Sequence, residues 1–275
     1  FAVLCCMPAQ RAYADDATDG GTVVKHIQNR NDFLALVALS RTQDTSNWTV
    51  YLDNDIQLGD DDMKAIVKDT VKHLSFGNSE HPFAGVFDGQ NHTVKGLKYA
   101  NNAFDPERDT GFFAETNGAT IKNFLVEDAD VWADFRGGII GKAVNTHIEN
   151  VMVMESTLHV TCANNALNLI TNAGFEGGLI AGELSGCTVY NCEVRGGPAV
   201  NNTTSGVQAL GGEGLYMSAF AGYVDNSTIE YSRVTPTRND DGTVKAATDV
   251  TNKYDVAVGA LGGNNVYASG FVGRM

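Results

Sequence analysis

The 275-residue sequence predicts an all-β fold: a right-handed parallel β-helix, or solenoid, with a short helix capping its N-terminal end. The first of three observations is a repeat. Segments 91–99, 118–126, 146–153, 187–194 and 227–234 share one apolar pattern. Its first positions are Val94, Ile121, Ile148, Val189 and Ile229, spaced 27, 27, 41 and 40 residues apart. The second is a lead-in of small and apolar residues upstream of the last four segments: GFFA (111–114), GIIG (138–141), GLIAG (178–182) and AFAG (219–222), with a further copy, GFVG, at 270–273. The third is composition. Glycine is abundant at 30 and proline scarce at 5, with 43% hydrophobic and only 19% charged residues, as expected of short buried strands joined by tight turns. Repeats of 20–50 residues mean stacked units, because one short strand cannot bury its apolar face alone.

The elements follow in order. Residues 1–14 read as the remnant of a secretory signal: the apolar run FAVLCCM, then Pro8, then Ala12-Tyr13-Ala14 before a cleavage point at Asp15. Residues 15–275 form the β-helix domain, which stops inside a repeat. A helix is predicted over 31–41, with Asn31 as N-cap before DFLALVALS. Residues 48–58 alternate at period two and read as strand. Each repeat then supplies strands. Val94, Ile121, Ile148, Val189 and Ile229 are expected to stack as one buried column, with Lys122 directly beside Glu149 in the next unit. Asn123, Asn150 and Asn191 recur at one position and predict an amide ladder at a corner. The longer spacings place loops or partial extra turns at 161–177, 195–217 and 236–268.

Charge limits the partners. With 19 Lys plus Arg against 33 Asp plus Glu, the net charge is −14, which disfavours nucleic acid and anionic lipid surfaces. No apolar run is long enough to span a bilayer. After removal of Cys5 and Cys6 with the signal, Cys162, Cys187 and Cys192 remain, an odd count that argues against a disulfide framework. Cys192 shares the column of Phe124 and Val151 and reads as a small core residue. No two of His26, His73, His81, His92, His147 and His159 are four residues apart, so no H-E-x-x-H face exists in this segment. The acids Glu127, Asp128, Asp130 and Asp134, with Glu155 one unit beyond Asp128, are the candidates for carboxylate chemistry; solvated turns explain them better. Asp53, Asn54, Asp55 and Asp60 to Asp62 read as acidic turns rather than a calcium loop. No catalytic residue, metal ligand or cofactor is assigned, and the ligand-binding residues are unknown at this level.

The lead-ins, the I-x-N-x-x-V strand core of 121–126 and 148–153, and the opening FAGVFDGQNHTVKGL (83–97) resemble the GLUG-motif repeats of bacterial surface proteins. They are also similar to the N-terminal repeat regions of IgA1-specific zinc metallopeptidases. The resemblance covers residues 23–275, with Tyr231 and Gly96 as departures. It implies a secreted or cell-surface bacterial module, more a stalk or adhesin than an enzyme, that binds a host or cell-surface glycan or protein through its loops. The alternatives are a polysaccharide-cleaving β-helix enzyme, or the non-catalytic N-terminal part of a larger secreted metallopeptidase.

Overall fold

The structure, a computed structural model, describes residues 16–19, 21–59, 64–67, 70–73, 75–99, 109–133, 135–160, 175–196, 207–210, 213–235, 258–261 and 264–275. The signal segment 1–14, Cys162, Asp134 and Asp60 to Asp62 lie outside these residues. Among the described residues the fold is all-β apart from one helix, and its main sheets are parallel.

The chain visits four parallel sheets in a fixed order. In one unit, Phe113–Asn117 lies in a first sheet and Thr120–Glu127 in a long sheet. Asp130–Ala133 then enters a third and Arg136–Gly137 a fourth. The next unit begins at Ile140–Val144, which pairs in parallel with Phe113–Asn117. His147–Met154 then pairs with Thr120–Glu127, Ile121 opposite Ile148 and Lys122 opposite Glu149, in the expected register and sense. Thr157–Val160 continues the third sheet and Phe175–Gly177 the fourth. Two further units add Ala181–Ser185 and Ala221–Asp225 to the first sheet, and Val272–Arg274 closes it.

Each unit thus satisfies its backbone groups through its neighbours, as the repeat requires. Inward residues form continuous columns. Val50, Phe87, Ile121, Ile148 and Val189 make one; Ile56, Val94, Val126, Val153 and Val194 make another; all are 0–2% exposed.

These columns correct two expectations. Val94 stands opposite Val126, and Phe87 takes the place opposite Ile121. The 27-residue spacing from Val94 to Ile121 is therefore not a unit length: Phe87 to Ile121 spans 34 residues and Val94 to Val126 spans 32, because Gly89-Gln90-Asn91 makes the corner of strand Val86–Lys95 two residues longer than the one that turns on Asn123 alone. Gln90 and Asn91 adopt positive φ (49° and 67°), and a Cβ on Gly89 would sit 2.5 Å from the Asn123 carbonyl oxygen. Gly96 therefore belongs to a different corner, the one turned by Asp128 and Glu155. Ile229 is only half-buried, because among the described residues its strand, Thr228–Glu230, ends the long sheet and no unit covers it.

The helix is Arg30–Ser40. Its N-cap is Asn29 rather than Asn31: the Asn29 side chain accepts from the backbone N–H groups of Asn31 (2.9 Å) and Asp32 (3.2 Å). Phe33, Leu36 and Val37 are buried, and Phe33 meets the rings of Phe76 (5.7 Å) and Phe112 (5.3 Å). Phe76, Phe83, Phe87, Phe113 and Phe124 continue this aromatic packing into the first units. At the same end, Asp16–Asp19 pairs antiparallel with Thr22–Ile27.

The predicted loops are partly strands. Phe175–Gly177, Glu213–Ser218 and Asn264–Ser269 build the fourth sheet, and Val207–Leu210 and Val258–Leu261 the third. The remaining parts, 161–174, 197–206, 211–212, 236–257 and 262–263, lie outside the described residues.

Candidate functional site: a seam between two sheets

The lead-in glycines do steric work. The chain leaves the fourth sheet and enters the first within two or three residues, and the two sheets close on each other. A Cβ on Gly182 would lie 2.6 Å from Gly141 O and 2.8 Å from both Glu176 O and Gly137 N. Gly141 faces Thr110 N at 2.9 Å and Gly273 faces Met217 N at 2.9 Å in the same way. Apart from Gly141 O, which belongs to the first sheet, these are backbone atoms of the fourth sheet, so no flexible side chain can yield. Ala114 holds this position in the earliest unit, where the described fourth sheet has no strand before Asp109–Thr110.

Two outward columns are brought together along this seam. On the fourth sheet, Asp109, Arg136, Glu176, Tyr216 and Tyr267 stand in register. On the first, Glu115, Lys142, Glu183, Tyr223 and Arg274 do so. Read along the stack, the layers are acidic, basic, acidic and aromatic, ending in a tyrosine beside an arginine.

The acidic and basic layers are largely buried. Arg136 Nε donates to Glu176 Oε2 (2.8 Å), and Nη1 donates to Asp109 Oδ1 (3.3 Å). Glu183 Oε2 lies 2.5 Å from the same Nε but accepts no hydrogen bond, since one N–H cannot point squarely at two oxygens. Lys142 approaches Glu115 at 4.0 Å. Burial, joined by the neighbouring Glu115 carboxylate, pushes Asp109 up to about 7 against the pull of Arg136. Burial also raises Glu176, again opposed by Arg136. Below about pH 7, then, Asp109 carries a proton in the folded chain.

The aromatic layers are more open. Tyr267 is half-exposed and stacks on Tyr216 with centroids 5.2 Å apart. Arg274 lies over the rings of Tyr216 (5.0 Å) and Tyr223 (5.5 Å) and donates to the Tyr216 hydroxyl at 2.7 Å. Such a surface presents flat apolar faces edged by hydrogen-bond donors.

The acids singled out by sequence do not converge here. Glu127 accepts from Lys95 Nζ at 2.6 Å. Asp128 and Glu155 turn one corner with positive φ (55° and 51°), stacked as expected. Asp130 lies 3.0 Å from His159, which stacks on Trp132. Asp53 pairs with His26 (2.9 Å) and Asp55 with His92 (3.1 Å). Among the described residues, no group of three or more His, Cys, Asp or Glu has metal-binding geometry, and no helix is long and apolar enough to cross a membrane. Cys187 and Cys192 are buried free thiols, and burial pushes Cys192 up to about 12, as suits a core residue.

A second ion cluster on the long sheet is self-contained. Glu193 accepts from Arg195, Arg233 and Thr235. Burial alone raises its pKa, but these hydrogen bonds outweigh burial and hold it at about 2.

The seam residues escaped the sequence reading. Their pairing runs between sheets that are not sequence neighbours at fixed spacing, and Glu176 and Tyr216 fall in segments read as loops. The clue was available: a charged or tyrosine residue directly follows Gly141, Gly182, Gly222 and Gly273. Compared with known family models, curated proteins and solved structures, the chain matches none.

Proposed function

We propose that this chain is a right-handed parallel β-helix, capped by the Arg30–Ser40 helix, and that it serves as a rigid, non-enzymatic module of a GLUG-repeat type of bacterial surface or secreted protein. Residues 1–14 are the signal remnant in this reading, and 15–275 the β-helix domain. The module binds a host or cell-surface glycan or protein through its outer face as well as its loops. One observation carries the binding reading. Where the seam columns cease to neutralise each other, they continue as Tyr216, Tyr223, Tyr267 and Arg274, a surface of stacked rings and a guanidinium. Aromatic faces of this kind hold sugar rings or extended peptide at small entropic cost. The test is binding of the intact chain to immobilised host glycoproteins and polysaccharides. Tyr216→Ala is expected to weaken capture at least tenfold while the chain stays folded; unchanged capture contradicts the assignment.

A second reading rests on Asp109. A carboxyl near neutrality beside Glu115 and Arg136 has the composition of an acid–base pair on a polysaccharide. Release of reducing ends from a polysaccharide, abolished in Asp109→Asn, would establish cleavage and displace the non-enzymatic reading.

A further inference from the structure

At the corner of the long sheet, Asn123, Asn150 and Asn191 adopt the left-handed conformation, with φ of 57°, 54° and 50°. Asn150 Nδ2 donates to Asn123 Oδ1 (2.9 Å), and Asn191 Nδ2 donates to Asn150 Oδ1 (2.7 Å). Asparagine tolerates this conformation because its short amide bonds locally. The next unit keeps the conformation, with φ 52°, but places Tyr231 there. Tyrosine is strained at positive φ and cannot extend the amide ladder. Nor does burial compensate, since Tyr231 is 75% exposed. Among the described residues its ring contact is with Tyr190, edge to face at 5.2 Å, and Tyr190 is itself 38% exposed. A residue that breaks a local rule without a stabilising return marks a functional position.

The surroundings define the guest. Tyr190 stands in register between Glu149 on one side and Glu230 on the other, each one strand spacing away on the same face. Glu149 is also approached by His147 at 3.3 Å. Two aromatic faces flanked by carboxylates offer stacking to a C–H surface and acceptors to hydroxyl groups. Carboxylate-bearing sugars are repelled, by these two acids and by a chain carrying a net charge of −14.

We infer that Tyr190 and Tyr231, flanked by Glu149 and Glu230, form a second carbohydrate site selective for neutral sugar rings. This inference rests on the binding-module reading but uses a surface separate from the seam. The decisive variant is Tyr231→Asn, which restores the repeat's own residue and so removes the ring without threatening the fold.

The experiment measures binding of cellohexaose, a neutral mixed oligosaccharide panel, matched sialylated oligosaccharides and an oligolysine peptide. It uses the full chain as wild type, as Tyr216→Ala and as Tyr216→Ala/Tyr231→Asn, with thermal unfolding followed in parallel. Residual binding of a neutral oligosaccharide is expected in Tyr216→Ala, preferred over its sialylated counterpart, and lost at least tenfold on adding Tyr231→Asn with no fall in Tm. The inference is overturned if Tyr216→Ala already abolishes neutral-sugar binding, which leaves the seam reading intact. It is overturned equally if residual binding survives Tyr231→Asn, or if only the sialylated sugar or the oligolysine peptide binds. A wild-type chain that captures no glycan and no protein defeats both readings at once.

Discussion

Two corners turn this chain by different physics. At the seam between the fourth and first sheets, Gly141, Gly182, Gly222 and Gly273 recur because backbone from another strand occupies the space of a side chain. At the corner of the long sheet, Asn123, Asn150, Asn191 and Tyr231 recur at positive φ; the three amides bond one another along the stack, and the Tyr231 ring stands exposed. The first corner is fixed sterically and tolerates no added atom. The second is fixed conformationally, so its side chain can change from a laddered amide to an exposed ring. The repeat is therefore fixed in residue type at the seam glycines and variable at the conformational corner.

The sharpest way to break this comparison is Gly182→Ala. The new methyl would meet three backbone atoms within 2.8 Å, none on a flexible side chain. Overpacking of this kind is expected to cost about 3 kcal/mol, read from denaturant unfolding. The control is Gly118→Asn. Gly118 has φ 72° and open space where a Cβ would stand, and Asn145 and Asn226 hold the corresponding corner in other units. That change should move stability by less than about 1 kcal/mol. Gly118 lies at a third corner, between the first and long sheets, that is likewise turned by positive φ, so equal losses in the two variants would erase the distinction between steric and conformational corners.

The seam also predicts a pH dependence. Asp109 is held at about 7 in the folded chain against an ordinary 3.8. Between these values the folded state binds the extra proton, so stability falls as pH rises through the window and is level above it. Asp109→Asn removes the ionisation. It is expected to gain on the order of 2 kcal/mol at pH 8 relative to wild type and little at pH 4. Glu193, held at about 2, acts in the opposite sense: its contribution is complete above its unfolded value near 4.5 and fades as pH drops toward 2. Thermal unfolding of both chains across pH 2–9 separates the two groups. A gain that is the same at pH 4 and pH 8 would rule out Asp109 as the source.

Much of this architecture was legible because the repeat writes one backbone position several times. Ile121 and Ile148 revealed their column, Asn123 and Asn150 their ladder, and Lys122 its partner position opposite Glu149. Legibility failed where a unit changed length. The corner Gly89-Gln90-Asn91 is two residues longer than the Asn123 corner, and Val94, which belongs opposite Val126, falls 27 residues before Ile121, a misleading spacing. It failed again at Arg136, Glu176 and Tyr216, whose meaning depends on which sheets fold against each other. A lead-in of small residues announces a close approach; it does not name the strand that approaches.

The smallest expected effects come from the conformational corner. Asn150 is bonded through its amide to both Asn123 and Asn191, so Asn150→Ala loses two hydrogen bonds and puts a Cβ residue without a local amide at φ 54°. A loss of about 1–2 kcal/mol is expected. Tyr231→Asn runs the other way. It relieves a tyrosine at φ 52° and offers Asn191 a fourth amide, at the expense of one edge-to-face ring contact with Tyr190. Such a contact contributes roughly 0.5–1.5 kcal/mol when buried, and less at a pair this exposed. The balance favours asparagine, by about 0.5–1 kcal/mol from the conformational relief and one net hydrogen bond. Equilibrium unfolding of the single variants and of the pair decides it, because Asn150→Ala cuts the ladder that Tyr231→Asn extends. If Tyr231→Asn destabilises the chain instead, the tyrosine is held by packing, and its exposure no longer argues for a ligand.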